Sequence, residues 1–290
     1  WADRHQVKVF SPGGELQRSI GEPSAEIQYG KYDEGKMWRP AGLAVDHEGK
    51  LWVAELNYAP KRISVWDAAT GAFQRAYYGP PKYGGGGHLD PKNPDRFFYS
   101  SGMQGIEFII DPETNVSRPR SIYWHTDDNM ARCPDSPIYR GGRMYMTDNF
   151  YGPAYFLAQD AAVYMYDDET ATVQCVARVG AASRKGIKGR FLEPYMEQDP
   201  ELKAKLEAGW GDTPWKTQFA AWSDLNLDGE PQAEEVQAVS FSSDRVKRSQ
   251  CGVTFDRDLA IGTTSGVYIP APTYTDDGVP VWDLGRWEGA

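Results

Sequence analysis

Residues 40–79 read PAGLAVDHEGKLWVAELNYAPKRISVWDAATGAFQRAYYG, and their pattern is the clearest indication of the fold. Four short apolar segments alternate with turn signals along it, at residues 42–45, 51–54, 62–66 and 73–78. Between them, residues 46–49 and 67–71 supply the Asp and Gly residues that tight hairpin loops need. Four antiparallel strands in about 40 residues form one small sheet, which is the unit of a β-propeller blade.

The unit recurs along the chain. Residues 6–10 (QVKVF) match residues 62–66 (RISVW), and both copies close on a glycine, at Gly21 and Gly79. A looser copy at residues 137–148 mirrors the first hairpin of the full unit. A single sheet cannot bury both of its faces, whereas copies stacked around an axis can. At roughly 40–50 residues per blade, the sequence predicts an all-β fold, a β-propeller of about five to six four-stranded blades.

The predicted organisation is a single β-propeller domain over residues 1–290. The chain starts at Trp1 in the middle of a repeat, which predicts a fragment of a longer chain with an incomplete first blade. A net charge of −10 disfavours a nucleic-acid partner, because phosphate binding needs a basic surface. No apolar run approaches the roughly 20 residues of a membrane-spanning helix.

One segment breaks the strand pattern, at residues 181–218, and we interpret it as an insertion. A short helical part is predicted near residues 193–209. Asp199 suits the N-cap, Pro200 the first helical position and Gly209 the C-terminal cap. Such loops often carry specificity, although a purely structural decoration fits the sequence equally well.

The sharpest local motif is DLNLDGEPQAEE at residues 224–235, which fits the twelve-residue calcium loop position by position. Oxygen-bearing residues recur at alternate places, and Gly229 stands at the sixth place, where the chain turns sharply. The predicted Ca²⁺ ligands are Asp224, Asn226, Asp228, the backbone carbonyl of Glu230, Gln232 and Glu235. A single loop flanked by strands predicts a structural clamp rather than a switching sensor. The alternative interpretation is an acidic hairpin loop.

Two carboxylates occupy equivalent places in the repeat. Glu55 and Asp148 each follow a strand that should line the central channel of a propeller, and Asn57 and Asn149 lie beside them. Carboxylates and amides that converge at the channel mouth suit a metal ion or sugar hydroxyls. The competing interpretation is that all four are turn-forming residues at strand ends.

Histidines and aromatic residues supply further candidates. His88 and His125 are predicted to lie in loops with aromatic neighbours, and a histidine beside a carboxylate can perform acid–base chemistry. Trp124 and Tyr151 are candidate ligand-binding residues, as stacking platforms for sugar rings. The alternatives are a structural or surface role for the histidines and core packing for the aromatic residues.

The three cysteines, Cys133, Cys175 and Cys251, show no metal-type spacing. Because their number is odd, the sequence allows one disulfide with one free thiol, or three buried free thiols. The sequence alone does not choose between these two arrangements.

The phrases at residues 40–55 and 2–10 resemble NHL-repeat β-propellers. That resemblance implies a propeller, and relatives in this broad group include peptide-amidating lyases, gluconolactonase-like hydrolases and non-enzymatic binding propellers. The chain is also similar to propeller regions of large secreted proteins of environmental bacteria, which implies an extracellular or periplasmic location. The metal-binding pattern of gluconolactonase-like enzymes is not reproduced beyond Glu55 and Asp148, so no catalytic residues are carried over.

Two classes of function follow. The first is a calcium-stabilised extracytoplasmic β-propeller that binds a ligand, either carbohydrate or a protein partner. The alternative is a lyase or hydrolase directed at sugars or lactones, working at the channel mouth with Glu55, Asp148 and one of His88 or His125. The first class is favoured because no compact catalytic constellation is visible and a fold does not imply chemistry. The sequence leaves the oligomeric state open.

Overall fold

The structure of the chain is a computed structural model. It describes residues 4–24, 26–56, 60–79, 86–100, 104–126, 133–148, 160–184, 191–208, 217–239, 253–263 and 266–289. The chain divides into two compact units, one of residues 1–133 with 168–172 and one of residues 134–167 with 173–290.

The first unit contains three antiparallel sheets within the described residues. Its strands are β1 (Val7–Phe10), β2 (Leu16–Ile20), β3 (Gly30–Lys31), β4 (Pro40–Val45), β5 (Lys50–Glu55), β6 (Arg62–Asp67), β7 (Phe73–Tyr78), β8 (Gly87–Asp90), β9 (Asn93–Ser100), β10 (Gln104–Asp111) and β11 (Val116–His125). Strands β4 to β7 form a four-stranded meander, so residues 40–79 form one blade-like sheet, as predicted. Strand β1 pairs with β2, and β8 to β11 form a second meander that β3 extends to five strands.

Aspartate and glycine residues close the hairpins of the β4–β7 sheet. Asp46 Oδ1 accepts hydrogen bonds from the backbone N–H groups of Glu48 (3.0 Å) and Lys50 (2.9 Å). Gly49 completes this turn at a φ of +76°, a region that residues with a Cβ rarely adopt. Asp67 likewise accepts backbone hydrogen bonds in the turn between β6 and β7. The turn chemistry of the sequence therefore sets the strand boundaries of this sheet.

One face of the same sheet packs against the β1–β2 hairpin. In β5, Leu51 and Val53 are buried whereas Ala54 is exposed, which is the alternation expected of a strand with one covered face. The buried cluster consists of Val7, Ile20, Met37, Leu51, Val53 and Trp66. Full burial of a side chain of this size stabilises the fold by about 1.5–3 kcal/mol. This cluster is therefore what holds the N-terminal hairpin on the sheet.

The remaining strands form a six-stranded, a four-stranded and a two-stranded sheet within the described residues. The elements are β12 (Ser136–Arg140), β13 (Arg143–Thr147), β14 (Asp160–Asp167), β15 (Thr172–Arg184), α1 (Glu193–Met196), α2 (Pro200–Ala208), β16 (Thr217–Ser223), β17 (Val236–Val239), β18 (Val253–Phe255), β19 (Ile261–Thr263), β20 (Val267–Ile269), β21 (Thr273–Tyr274), β22 (Pro280–Val281) and β23 (Glu288–Gly289). Single 3₁₀ turns lie at Ala233–Glu235 and Leu284–Arg286. Strands β12 to β17 follow one another in the six-stranded sheet, β18, β19, β20 and β23 form the four-stranded one, and β21 pairs with β22.

The two helices lie in the predicted insertion, between β15 and β16. Asp199 Oδ1 accepts hydrogen bonds from the backbone N–H groups of Glu201 (2.8 Å) and Leu202 (3.0 Å), which confirms the predicted N-cap. Gly209, the predicted C-terminal cap, lies outside the described residues. The helices pack on the sheet through an apolar cluster of Phe191, Leu192, Met196, Leu202, Leu206, Ala220, Trp222, Ala233 and Val236.

The predicted fold class is confirmed, because the chain is built from small, propeller-like antiparallel sheets with a short helical insertion. The sheets are not uniformly four-stranded. Strand β3 joins β11 where Gly30 pairs with Ile122. Strand β16 returns from the helices to the edge of β15, where Ala221 pairs with Val179. In the part of the chain that is described, neither helix has the length and hydropathy needed to cross a bilayer.

Candidate functional site

The predicted calcium loop connects two neighbouring strands of the six-stranded sheet. It follows β16 directly and ends in the 3₁₀ turn that precedes β17. Leu227 and Gly229 take positive φ values of +60° and +80°. The sharp turn thus falls at the sixth place of the motif, where the sequence predicts it.

Asp224, the first residue of the loop, is fully buried. Its Oδ2 accepts a hydrogen bond from the backbone N–H of Gly229 at 3.0 Å, whereas its Oδ1 is buried and has no hydrogen-bond partner among the described residues. Burial raises the pKa of the Asp224 carboxyl, and the hydrogen bond from Gly229 opposes that shift. A buried acceptor without a partner costs about 1–3 kcal/mol. The orphaned oxygen is therefore a place where a bound cation would be stabilising.

Three predicted ligands meet on the exposed side of the loop. The Asn226 side-chain amide donates to Asp228 Oδ2 (3.0 Å) and to Gln232 Oε1 (3.3 Å), and the Gln232 amide donates to Asp228 Oδ2 (2.9 Å). A hydrogen bond from the backbone N–H of Glu230 lowers the pKa of Asp228, which keeps this carboxyl ionised. The side chains at the third, fifth and ninth places thus lie within hydrogen-bonding distance of one another.

Glu235 closes the loop from within. Its Oε1 accepts hydrogen bonds from the backbone N–H groups of Leu225 (2.7 Å) and Asn226 (3.3 Å), and its Oε2 accepts from Trp222 Nε1 (3.0 Å) and the backbone of Gln232 (3.4 Å). In the described part of the chain, no group of three His, Cys, Asp or Glu residues is placed to hold a metal ion. The side chains of Asp224, Asn226, Asp228 and Gln232 carry the type of oxygen donor that calcium prefers. The role of Glu235 as a bidentate ligand stays a prediction.

The helical insertion holds the end of the loop. Asp199, the N-cap of α2, accepts a third hydrogen bond, through Oδ2, from the backbone N–H of Ala233 at 3.1 Å. Lys205 Nζ donates to the carbonyl oxygen of the same residue at 2.7 Å. We call these two contacts the Ala233 clamp. The motif carries no signal for the clamp, because Asp199 lies 34 residues before its partner.

Both carboxylate oxygens of Glu55, the candidate from the first unit, accept hydrogen bonds from neighbouring groups. Its Oε2 accepts from the backbone N–H of Trp38 at 2.6 Å, and its Oε1 accepts from Arg62 Nε at 2.5 Å and from Ser64 Oγ at 3.3 Å. The Arg62 side chain is fully buried and also donates to the hydroxyl of Tyr32 at 2.8 Å. Burial raises the pKa of Glu55, and the Arg62 guanidinium opposes that shift. This geometry is that of a structural ion pair.

Sequence reasoning missed Arg62 although the strand pattern contains a signal for it. Arg62 is buried at the start of β6, and Ser64, Val65 and Trp66 are buried after it. A charged residue buried in a strand requires a partner of opposite charge. Glu55, on the neighbouring strand, is that partner.

Asp148, the candidate from the second unit, directly follows β13 and is buried. Its Oδ1 accepts a hydrogen bond from the backbone N–H of Ala162 at 3.1 Å, which ties it to β14. The predicted neighbours Asn57 and Asn149, and the predicted platform Tyr151, lie outside the described residues. A meeting of Glu55 and Asp148 therefore stays a prediction.

The histidines and Trp124 lie in strands. His88 is an exposed residue of β8 and His125 is the half-buried last residue of β11, so the prediction that both lie in loops is wrong. The strand pairing explains this, because His88 pairs with Phe98 and His125 with Gln104 in one antiparallel sheet. Trp124 is buried in β11, which fits core packing.

The structure describes two of the three cysteines, Cys133 and Cys175. No disulfide joins Cys133 and Cys175. Burial raises the pKa of Cys175 to about 12, which keeps its thiol protonated and inert at neutral pH. Cys251 lies outside the described residues.

No family model matches the chain, and no curated protein matches its sequence. Among solved structures, the chain is similar to a protein from Lactobacillus plantarum, with 9% identity over 97% of this chain and 81% of that chain and a TM-score of 0.30. It is similar to luciferin-regenerating enzyme, with 10% identity over 90% of this chain and 77% of that chain and a TM-score of 0.29. It is also similar to the PQQ domain of pyranose dehydrogenase from Coprinopsis cinerea, with 15% identity over 85% of this chain and 48% of that chain and a TM-score of 0.20.

These superpositions are too distant to bear on the chemistry of the site. The fold class therefore rests on the strand pairing of this chain itself. The resemblance of residues 40–55 to NHL repeats stays a prediction.

Proposed function

We propose that this protein is a calcium-stabilised, extracytoplasmic, propeller-like protein that binds a ligand, either carbohydrate or a protein partner. The observation that carries the calcium assignment is the buried, unpartnered Oδ1 of Asp224 at the first place of a twelve-residue calcium loop. Calcium prefers six to eight oxygen ligands, and the loop offers only oxygen donors at its ligand places.

The residues that would hold the ion are Asp224, Asn226, Asp228 and Gln232 through side-chain oxygens and Glu230 through its backbone carbonyl. Bound calcium would supply positive charge to the orphaned Asp224 oxygen and fix the exposed side of the loop. Glu235 already holds the loop closed through four hydrogen bonds. A preformed loop of this kind supports a clamp rather than a switch.

A binding function is favoured over the enzymatic alternative by the state of Glu55. Its carboxylate is occupied by Arg62, Trp38 and Ser64, all within its own unit. A carboxylate held in this way is poorly suited to act as a general acid or base at a channel mouth.

Calcium titration by calorimetry tests the proposal. The full chain should bind one Ca²⁺, and Asp228→Ala should weaken binding at least about tenfold, which corresponds to about 1.4 kcal/mol of binding free energy. Glu234→Ala is the matched control, because Glu234 is exposed, lies at the eleventh place of the same loop and carries the same charge. Equal affinities for the two variants, or no binding by the wild type, would contradict the calcium assignment.

A further inference from the structure

A cavity of about 330 Å³ lies where the calcium loop meets the helical insertion. It is lined by three residues of the insertion and three of the loop, namely Tyr195, Gln198, Asp199, Glu230, Pro231 and Gln232. Its volume falls at the lower end of the roughly 300–1,000 Å³ that small-molecule sites occupy. The loop residues are the seventh to ninth places of the calcium motif.

Three side chains of the cavity carry polar groups that make no hydrogen bond within the described part of the chain. They are the hydroxyl of Tyr195, the amide of Gln198 and the carboxylate of Glu230. The other two polar side chains are already used. Asp199 caps α2 and takes part in the Ala233 clamp, and Gln232 is bonded to Asn226 and Asp228. A hydroxyl, an amide and a carboxylate therefore remain available to a ligand.

The cavity also has an apolar side. The ring of Tyr195 packs against the apolar cluster of the insertion, which holds it in place, and Pro231 is buried. A ligand that fits both sides must offer C–H faces together with groups that donate and accept hydrogen bonds. A sugar ring has this combination, because its hydroxyls can donate to a carboxylate and accept from an amide.

We propose that this cavity binds a neutral sugar residue and that calcium in the adjacent loop strengthens the binding. The inference rests on the proposed function and names its ligand class and its site. An amine is the poorer fit, because Glu230 is exposed and a single exposed ion pair contributes little. A sugar instead engages Tyr195, Gln198 and Glu230 at the same time.

The coupling follows from residues that serve both sites. Glu230, through its backbone carbonyl, and Gln232 are predicted calcium ligands, and both residues also line the cavity. The Ala233 clamp joins the loop to α2, so the two walls of the cavity are held together. An ion that fixes the loop therefore fixes one wall of the cavity, and a bound sugar must in turn raise calcium affinity.

The test is a titration of the full chain with the methyl glycosides of glucose, galactose, mannose and xylose, with saturating calcium and with a chelator. At least one glycoside should bind with a millimolar dissociation constant, and calcium removal should weaken it at least about fivefold, the lower range of measured couplings. Tyr195→Ala and Glu230→Gln should each weaken sugar binding at least about tenfold. Tyr268→Ala, which alters an exposed tyrosine of β20, should leave it unchanged.

The outcomes separate the inference from the proposed function. Tyr195→Ala should bind calcium like the wild type in the absence of sugar, because Tyr195 lines the cavity and is not a predicted calcium ligand. Calcium binding without any glycoside binding overturns the sugar site and leaves the calcium clamp standing. A glycoside dissociation constant that is the same with calcium and with the chelator overturns the coupling. Absence of calcium binding overturns the proposed function itself. Binding of Nα-acetyl-lysine methylamide in place of the glycosides makes the cavity a cation site and overturns the sugar assignment.

Discussion

Glu55 in the first unit and Asp224 in the second are both buried carboxylates at strand ends, and their surroundings differ in one respect. Both oxygens of Glu55 have partners, and its charge is matched by the buried guanidinium of Arg62. Asp224 has one oxygen bonded to Gly229 and one oxygen with no partner. Burial raises the pKa of both carboxyls, so burial alone does not distinguish them.

Hydrogen-bond partners therefore distinguish a structural carboxylate from a candidate metal ligand. A buried charge that is paired and fully hydrogen-bonded completes its own site, and removing its partner is what destabilises the protein. A buried carboxylate with an orphaned oxygen is incomplete until something supplies positive charge. Glu55 therefore has a structural role in its sheet, whereas Asp224 is a candidate ligand for a cation.

Breaking the complete site should have the largest effect. Arg62→Ala leaves the Glu55 charge buried without its partner, so the free energy of unfolding should fall by about 3–5 kcal/mol. Denaturant unfolding monitored by circular dichroism measures the change. Arg75→Ala, on the neighbouring strand and exposed, should stay within about 0.5 kcal/mol of the wild type. A loss of similar size in both variants would mean that the pair with Glu55 is not what stabilises this sheet.

The incomplete site should respond to calcium in a way that the complete one does not. Without calcium, Asp224→Asn removes a buried charge, so the variant should be at least as stable as the wild type. With free calcium a hundredfold above the wild-type dissociation constant, the variant should lack about 2.7 kcal/mol of stabilisation that the wild type gains. Thermal unfolding of both proteins, with calcium and with a chelator, provides the comparison.

Glu55→Gln is the matched control for this experiment. It leaves the buried Arg62 charge without its partner and should lower the free energy of unfolding by about 3–5 kcal/mol, equally with and without calcium. If Asp224→Asn behaved like Glu55→Gln, the orphaned oxygen would have no bearing on calcium.

Asp67, a half-buried carboxylate in a turn, should have the smallest effect on stability of the residues compared. Hydrogen bonds from Thr70 lower the pKa of Asp67 in the turn between β6 and β7. Its contribution to stability is therefore present above the unfolded-state pKa of about 3.9 and is lost as the pH falls through the lower, folded-state pKa. Asp67→Asn should flatten the acid limb of the stability–pH curve below about pH 4. An unchanged acid limb in this variant would contradict the assignment.

Features that depend on near neighbours in the chain could be predicted from the sequence alone. The blade-like sheet of residues 40–79 follows from alternating apolar residues and from Asp and Gly turns, because hairpins are made from contacts a few residues apart. The N-cap at Asp199 and the sharp turn at Gly229 were predictable for the same reason. The predicted loop position of His88 and His125 was wrong, because strand pairing decides strand length and a local pattern does not contain it.

Whether a buried carboxylate has hydrogen-bond partners for both of its oxygens depends on the packing of the whole chain. The pairing of Glu55 with Arg62 and Trp38 depends on how strands and connections pack, and the orphaned oxygen of Asp224 exists only because the fold buries it. The Ala233 clamp joins residues far apart in the chain, and it sets the cavity beside the loop. Burial and long-range partners are properties of the packed chain, so the oxygen pattern of residues 224–235 predicted a candidate ion site, and packing decided which of its oxygens stay available.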